Sequence, residues 1–394
     1  MNNIFSDRIS DVPRSFIREI FKVAVDTSVI SFAGGLPNRD FFPVEELQAA
    51  SNKVFESAGK EVLQYSNSEG YPKLREYISK RYLEKKGLDI PVENILITSG
   101  SQQGLDLLGK TFLNEGDDVI IEEPGYLGAI QAFSVYKSVF NPVPVTEEGM
   151  DVDCLKEVIS AKSPKLMYTV PNFQNPSGIS YPEKNRYAIA DILKNKSTFL
   201  IEDDPYGDLR FTGADKESFG KILPENAILL GTFSKTIVPS FRLGWITAPS
   251  HAVMEKLIIA KQASDLHTNY FIQRVICQYL ADNDLDEHIG KIIKVYNSQR
   301  LAMIKSIEKY FPSNVSHTHP EGGMFLWVTL PEGVSSMELF DLAIKDKVAF
   351  VPGNPFYINK DKTNTLRLNF SCVDEETIET GIKRLGKSIE KLLS

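Results

Sequence analysis

The chain has 394 residues, 42% of them apolar and 24% charged, which is the make-up of a globular protein with a large core and, at this length, two domains. Its formal net charge of -8 and the lack of any lysine/arginine block argue against a nucleic-acid surface. Cys154, Cys277 and Cys372 are widely spaced with no Cys-x-x-Cys pair, and neither a signal-like segment over Met1 to Val12 nor a bilayer-length apolar run is present, so a reducing cytoplasmic setting is expected, with no disulfide framework, zinc site or membrane span.

In chain order, a short helix is expected over Ser15 to Ala24. From about Val92 to Trp245 short β-rich runs alternate with longer helical stretches, the pattern of a mainly parallel α/β sheet. Ile95 to Thr98 reads as a strand entering a glycine turn, with a helix over Gln102 to Leu113. Asp118 to Ile121 is the next strand, ending at Glu122-Glu123-Pro124-Gly125-Tyr126. Lys165 to Val170 is a strand stopped by Pro171, Pro182 to Leu193 a helix, and Thr198 to Ile201 a strand running into Glu202-Asp203-Asp204-Pro205-Tyr206. Ala227 to Leu230 is a buried strand leading to Gly231-Thr232-Phe233-Ser234-Lys235-Thr236. Amphipathic helical stretches follow over His251 to Asp282 and Asp286 to Tyr310. Strands over Gly322 to Val328 and Thr365 to Phe370, then a helix over Asp374 to Leu393, complete the chain.

The candidate chemistry falls just after the carboxyl ends of strands, where open α/β sheets bind ligands. Lys235 follows an apolar strand, between small hydroxyl residues, with Arg242 seven positions on. A poorly hydrated lysine beside a phosphate-like site is nucleophilic enough to form a Schiff base. Thr98 to Gly104 is a strand, a small-residue turn and a helix start, hence an anion site made of free N–H groups. It has neither Gly-x-Gly-x-x-Gly nor Gly-Lys-Ser/Thr spacing, which disfavours a nucleotide. Arg242 and Ser234 are placed to reach the same phosphate. Asp203, in a partly buried setting, needs a cation such as a protonated pyridine nitrogen, while Asp204 reads as a surface or capping carboxylate. Asn175, projected by the rigid turn Pro171 to Gly178, offers an amide to a phenolate-like oxygen. Tyr126 is positioned to stack on an aromatic ring. The five histidines show no metal-ligand spacing, and no metal is expected.

Taken together, Ser101-Gln102, Tyr126, Asn175-Pro176-x-Gly178, Asp203-x-x-Tyr206, Ser234-Lys235 and Arg242 resemble, in order and context, the class I/II aminotransferases of fold type I. The resemblance extends to Gln64-Tyr65-Ser66, Glu69-Gly70-Tyr71-Pro72-x-Leu74-Arg75 and Arg367, and covers nearly the whole chain. It implies a pyridoxal 5'-phosphate enzyme with a mainly parallel central sheet in a large domain and a smaller α+β domain. Lys235 resembles the lysine that forms the Schiff base and shuttles the proton, and Asp203 the partner of the pyridinium nitrogen. Tyr206 and Asn175 resemble the residues at the phenolic oxygen, and Tyr126 the stacking ring. Ser101, Gln102, Ser234 and Arg242, with Thr232 in addition, resemble the phosphate cup. Tyr65 resembles the tyrosine that reaches the neighbouring subunit's phosphate, which implies a homodimer with shared sites. Arg367 resembles the arginine that binds the substrate α-carboxylate.

Ile30-Ser31-Phe32-Ala33-Gly34-Gly35-Leu36-Pro37, after Ser15-Phe16-Ile17-Arg18-Glu19-Ile20, is similar to the 2-aminoadipate and kynurenine aminotransferase group. There the N-terminal segment covers the site, Gly35 would close on the substrate, and Arg18 would meet a distal carboxylate. The domains expected are an arm over residues 1–44, a large cofactor-binding domain over 45–290 and a small domain over 291–394. The function expected is transfer of an amino group from an L-amino acid (2-aminoadipate, aromatic or branched-chain) to a 2-oxo acid such as 2-oxoglutarate, by a ping-pong mechanism. A carbon–sulfur β-lyase on the same cofactor is the first alternative. A non-catalytic effector-binding protein is the second, weakened because only about 30 residues precede the glycine pair, against the DNA-binding domain of some 60 or more such regulators carry.

Overall fold

Apolar runs such as Leu200-Ile201 and Ile228-Leu229-Leu230 have no polar face, so a strand built from them must be covered on both sides. In the computed structural model, which describes residues 4–10, 12, 28–359 and 363–394, they lie in the middle of one large sheet. A short strand β1 (Ile30–Ser31) comes first. The large sheet is built from β2 (Ile95–Thr98), β3 (Asp118–Glu123), β4 (Val139–Thr146), β5 (Gly149–Met150), β6 (Leu166–Thr169), β7 (Phe199–Asp203), β8 (Ala227–Thr232) and β9 (Gly244–Thr247). Its order is β2-β9-β8-β7-β6-β3-β4-β5. The pairs from β8 through β7, β6 and β3 to β4 are parallel, whereas β9 runs antiparallel to both β2 and β8. The carboxyl ends of β2, β3, β6, β7 and β8 therefore share one edge.

After this come β10 (Ser316–His317), β11 (Phe325–Thr329), β12 (Val348–Ala349), β13 (Val351–Pro352) and β14 (Thr365–Asn369). Strands β10, β11, β14 and β13 make a second, antiparallel sheet, and β1 pairs with β12. The helix Leu285–Tyr310, capped by Asp284 on two backbone N–H groups, packs along the final helix Glu375–Leu393, capped by Asp374.

Several expectations are corrected. The stretch His251 to Asp282 is two helices, His251–Gln262 and Tyr270–Asp282, the second capped by Asn269. Its periodicity continues through the break because both halves bury one face on the same core. Strand β7 extends through Asp203, so that carboxylate is part of the strand and not of the following turn. Strands β4 and β9 and the helices Val44–Ala58 and Pro72–Lys86 add to the elements expected from the sequence. Prolines at 142 and 144 weaken the strand signal of β4, which is tolerated because β5 covers only its far end. The expected helix Ser15 to Ala24 lies outside the described residues. No helix among the described residues is long and apolar enough to cross a membrane, and they hold no cluster of three or more His, Cys, Asp or Glu able to hold a metal.

One contact fixes the β8–β9 geometry beneath the lysine. Gly231 lies opposite Trp245, and a Cβ on Gly231 would come within 2.2 Å of the indole. The indole N–H in turn donates to Tyr82 at 3.0 Å. Gly231→Ala should displace Trp245 and cost about 1–3 kcal/mol, read as a lower midpoint in urea denaturation. An unchanged midpoint would show that the ring moves aside freely.

Candidate active site

The shared edge of the large sheet and strand β14 enclose a cavity of about 520 Å³. Its wall contains Gly35, Ser101, Gln102, Tyr126, Asn175, Asp203, Tyr206, Thr232, Ser234, Lys235, Arg242 and Arg367. All of the expected site residues except Tyr65 and Arg18 are thus brought together from well-separated segments of the sequence. Tyr65 stands 80% exposed, its ring edge-on to His267 at 5.9 Å, away from the cavity of its own chain. Arg18 lies outside the described residues.

At the mouth of the helix Ser101–Phe112, Gly100 has φ 78°, a backbone that favours glycine. A Cβ there would lie 2.5 Å from the Arg242 guanidinium, so this turn and the arginine are in van der Waals contact. Thr232 is held inside the wall: its hydroxyl lies 3.0 Å from the Leu243 carbonyl and accepts the Ser234 N–H at 3.1 Å. Free helix N–H groups, Arg242 and the Ser234 hydroxyl are donors of the kind that bind an oxyanion such as a phosphate.

Asp203 is buried, and its Oδ2 accepts from the Tyr168 hydroxyl at 2.8 Å. Its Oδ1 is buried and has no hydrogen-bond partner. Burial, with further contributions from the Asp204 and Glu122 charges, pushes the carboxyl up to about 7 against the opposing hydrogen bond from Tyr168. An acid so placed lacks a cationic donor at Oδ1. Asp204, expected at the surface, is instead partly buried, ion-paired with Lys86 at 3.4 Å and hydrogen-bonded by Asn172 at 2.9 Å. Strand alternation explains the difference, since neighbouring side chains leave the sheet on opposite faces. Tyr168 was missed: within an apolar strand its ring reads as core, and only pairing of β6 with β7 brings its hydroxyl to the acid.

Lys235 is half-buried and donates to the Gly35 carbonyl at 2.9 Å. Burial, followed by the nearby positive charge of Arg367, pulls its amine down to about 8, so a sizeable fraction is neutral near physiological pH. Arg367 is 1% exposed. It donates to Asn175 Oδ1 at 2.7 Å and to the Ala33 carbonyl at 2.9 Å, and its guanidinium lies 4.3 Å from the centre of the Phe325 ring. These partners are neutral, so the charge is left for an incoming anion. Asn175 Nδ2 lies 3.4 Å from the Tyr206 hydroxyl, and burial raises that phenol well above its usual range. The Tyr126 ring stacks on Tyr168 with centroids 6.4 Å apart.

An amine of lowered pKa, an oxyanion cup and a buried acid wanting a cationic donor suit the three ends of pyridoxal phosphate: carbonyl, phosphate and ring nitrogen. The fold and this cavity define a pyridoxal-phosphate enzyme of fold type I. The chain belongs to the family "Aminotransferase class I and II", whose model matches residues 27–385, and it is an aminotransferase. It is 42% identical over 393 residues, 98% of this chain and 94% of the relative, to aromatic-amino-acid aminotransferase 1 of Thermococcus litoralis. To the 2-aminoadipate transaminase of Thermus thermophilus it is 38% identical over 387 residues, 97% of this chain and 96% of the relative. The crystal structure of Pyrococcus horikoshii kynurenine aminotransferase in complex with PMP superposes with a TM-score of 0.94 at 42% identity, covering 99% of this chain and 98% of the other.

The acid at the end of β7 gives a pH test. In the folded, cofactor-free protein Asp203 keeps its proton up to about 7, whereas the unfolded chain loses it near 3.8. Its contribution to stability is therefore complete below the unfolded value and is lost as pH rises through the folded one. Relative to Asp203→Asn, the stability of cofactor-free wild type should fall between those two values by a few kcal/mol, on the order of 1.4 kcal/mol for each pH step of one, and stay level above them. Denaturant titrations across pH with parallel curves for both proteins would contradict the assignment.

Proposed function

We propose that this aminotransferase moves the amino group of an acidic, aromatic or branched-chain L-amino acid to a 2-oxo acid such as 2-oxoglutarate, in two half-reactions at one cavity. The observation that carries this reading is the pair Arg367–Asn175 in the same cavity as Lys235: a buried guanidinium with only neutral partners beside an amine of lowered pKa. Arg367 binds the α-carboxylate of donor and acceptor in turn, a task for its planar fork of donors. Support for the range of donors comes from the relatives, whose names refer to aromatic amino acids, 2-aminoadipate and kynurenine.

Pyridoxal phosphate supplies an electrophilic carbonyl and an electron-withdrawing ring when bound. In this reading Ser101, Gln102, Thr232, Ser234 and Arg242 hold its phosphate, Asp203 its ring nitrogen, Asn175 and Tyr206 its phenolic oxygen, and Tyr126 covers a ring face. Lys235 would hold it covalently and, when free, would move the proton at the substrate Cα. The lowered pKa leaves its amine able to accept that proton near neutrality. Asp203 keeps the ring nitrogen protonated, and Tyr168 keeps Asp203 oriented at 2.8 Å. Gly35 lines the substrate side, where a Cβ would meet Phe325 at 3.4 Å.

The same reading takes the protein as a cytoplasmic homodimer. In favour of the dimer, Leu63, Tyr65 and Leu266 are 69%, 80% and 55% exposed around the Tyr65–His267 contact, an apolar patch that a second copy would cover. Three free thiols favour a reducing compartment. The division near residue 290 has the support of the two larger sheets, which fall in 95–247 and 316–369, and the pairing of β1 with β12 supports an arm that packs on the small domain.

Lys235→Ala should abolish turnover, and Tyr65→Phe should weaken cofactor binding by about 1.5–3 kcal/mol. If Tyr65 reaches the partner's phosphate, mixing an inactive Tyr65→Ala chain with Lys235→Ala should regain activity, because one hybrid site is then intact. Verified subunit exchange without recovery would remove the shared-site part of the reading. Arg18 is proposed to meet the distal carboxylate of dicarboxylic substrates. Arg18→Gln should lower kcat/KM for 2-aminoadipate and 2-oxoglutarate by about tenfold or more, about 1.4 kcal/mol, with apolar donors unaffected in single-turnover half-reactions. Equal losses for both classes would return Arg18 to a solvated charge.

A further inference from the structure

Glu122 lies outside the cavity wall, yet its carboxylate takes four hydrogen bonds beneath it. It is 1% exposed on β3. Its Oε1 accepts from Thr169 Oγ1 at 2.8 Å, from the Val170 N–H at 2.8 Å and from the Tyr181 hydroxyl at 2.6 Å. Its Oε2 accepts from Gln174 Nε2 at 2.9 Å. A carboxylate has about four lone-pair sites; here three donors crowd Oε1 and Oε2 takes the Gln174 amide. Burial pushes the Glu122 carboxyl up, and these four bonds oppose it. The donors are all neutral, so the negative charge is held by hydrogen bonds rather than by a cation.

An ionised carboxylate only accepts, which forces the amide of Gln174 to turn its NH2 toward Glu122. The same Nε2 donates to the Pro124 carbonyl at 2.7 Å. The amide oxygen is thereby aimed the other way, where it accepts the Ser177 N–H at 2.9 Å and the Ser177 hydroxyl at 2.6 Å. The turn closed by these bonds contains Asn175, whose own amide is oriented between Arg367 and Tyr206. The polarity of one buried acid thus passes through Gln174 and Ser177 to the amide that aims the guanidinium.

We propose that Glu122 is a positioning residue for substrate-carboxylate binding: acting through Gln174, it fixes the 174–177 turn so that Asn175 holds Arg367 in its binding orientation. This rests on the reading that Arg367 takes the substrate carboxylate. Interactions with that carboxylate are alike in the ground and transition states, so their loss is expected in KM more than in kcat.

The test uses the holoenzyme for kinetics and the cofactor-free protein for binding of 3-phenylpropionate, a carboxylate without an amino group, by calorimetry. Glu122→Gln sets two NH2 groups face to face and should raise KM for the amino donor, and Kd for 3-phenylpropionate, by about tenfold, with kcat within roughly threefold of wild type. Adding Gln174→Glu restores a donor–acceptor pair between the two side chains, at the loss of the bond to the Pro124 carbonyl, and should recover at least about threefold of the roughly tenfold loss in both. Tyr181→Phe removes a donor from the same acid away from the turn; it should lower Tm and leave KM unchanged. A lower Tm with unchanged KM and Kd in Glu122→Gln, or no recovery in the double variant, overturns the proposal. If Glu122→Gln does not fold, Gln174→Met breaks the same link and must raise KM equally; an unchanged KM there also overturns it. Arg367→Gln separates the two readings. If it leaves Kd for 3-phenylpropionate unchanged, the assignment of Arg367 fails. If it raises Kd while Glu122→Gln does not, only the positioning role of Glu122 fails.

Discussion

Three consecutive acids close the central strand β7, Glu202 and Asp203 within it and Asp204 just after it, and the way the sheet handles them organises the site. Strand alternation sends Glu202 and Asp204 to one face and Asp203 to the other. On the far face Glu202 accepts from the Ser218 hydroxyl at 2.7 Å and the Phe219 N–H at 2.6 Å, and Asp204 pairs with Lys86. On the cavity face Asp203 has only the Tyr168 hydroxyl, leaving one oxygen open. A buried carboxylate in that condition is destabilising unless protonated or given a cation. The fold gives two of the acids partners on the far face and leaves one oxygen of the third without a donor.

The cavity wall also carries three cationic side chains, Lys235, Arg242 and Arg367, against the single acid. Their mutual repulsion has a chemical consequence. With burial, the charges of Arg367 and Arg242 are what lower the Lys235 amine. Arg367 is held down to about 10 by burial, so it remains charged where Lys235 begins to titrate. The excess positive charge suits a phosphate and a carboxylate arriving together, and it separates the cations chemically: Lys235 can lose its proton where Arg367 keeps its charge.

Legibility in the sequence followed the range of the forces involved. Residues set by local rules were readable: Lys235 after β8, Asp203 at the end of β7, and the Pro/Gly-bounded turn of Asn175. Residues whose meaning depends on pairing between strands were not. Tyr168 looks like core until β6 lies beside β7, and Asp204 looks like a surface acid until Lys86, on a helix 118 residues earlier, folds against it. Strand β9 has only four residues, directly after Arg242 and Leu243, too few to show a period, and its antiparallel direction is a property of the sheet rather than of those residues. Glu122 left no local signal, since its four donors come from residues 47 to 59 positions away.

The glycine-pair segment was legible for a different reason. It is bound through its carbonyls: Phe32 O accepts from the Asn369 N–H at 2.8 Å, Ala33 O from Arg367, Gly35 O from Lys235, and Leu36 O from the Ser371 hydroxyl at 3.1 Å. Contacts of this kind place no demand on side-chain identity except smallness. A Cβ at Gly35 would already touch Phe325 at 3.4 Å and stand 3.8 Å from the Arg367 guanidinium, so a larger residue would crowd both side chains. The segment therefore constrains its sequence by what it must not contain, which is why two glycines stand out while the partners of its backbone, spread from Lys235 to Ser371, become apparent only in the folded chain.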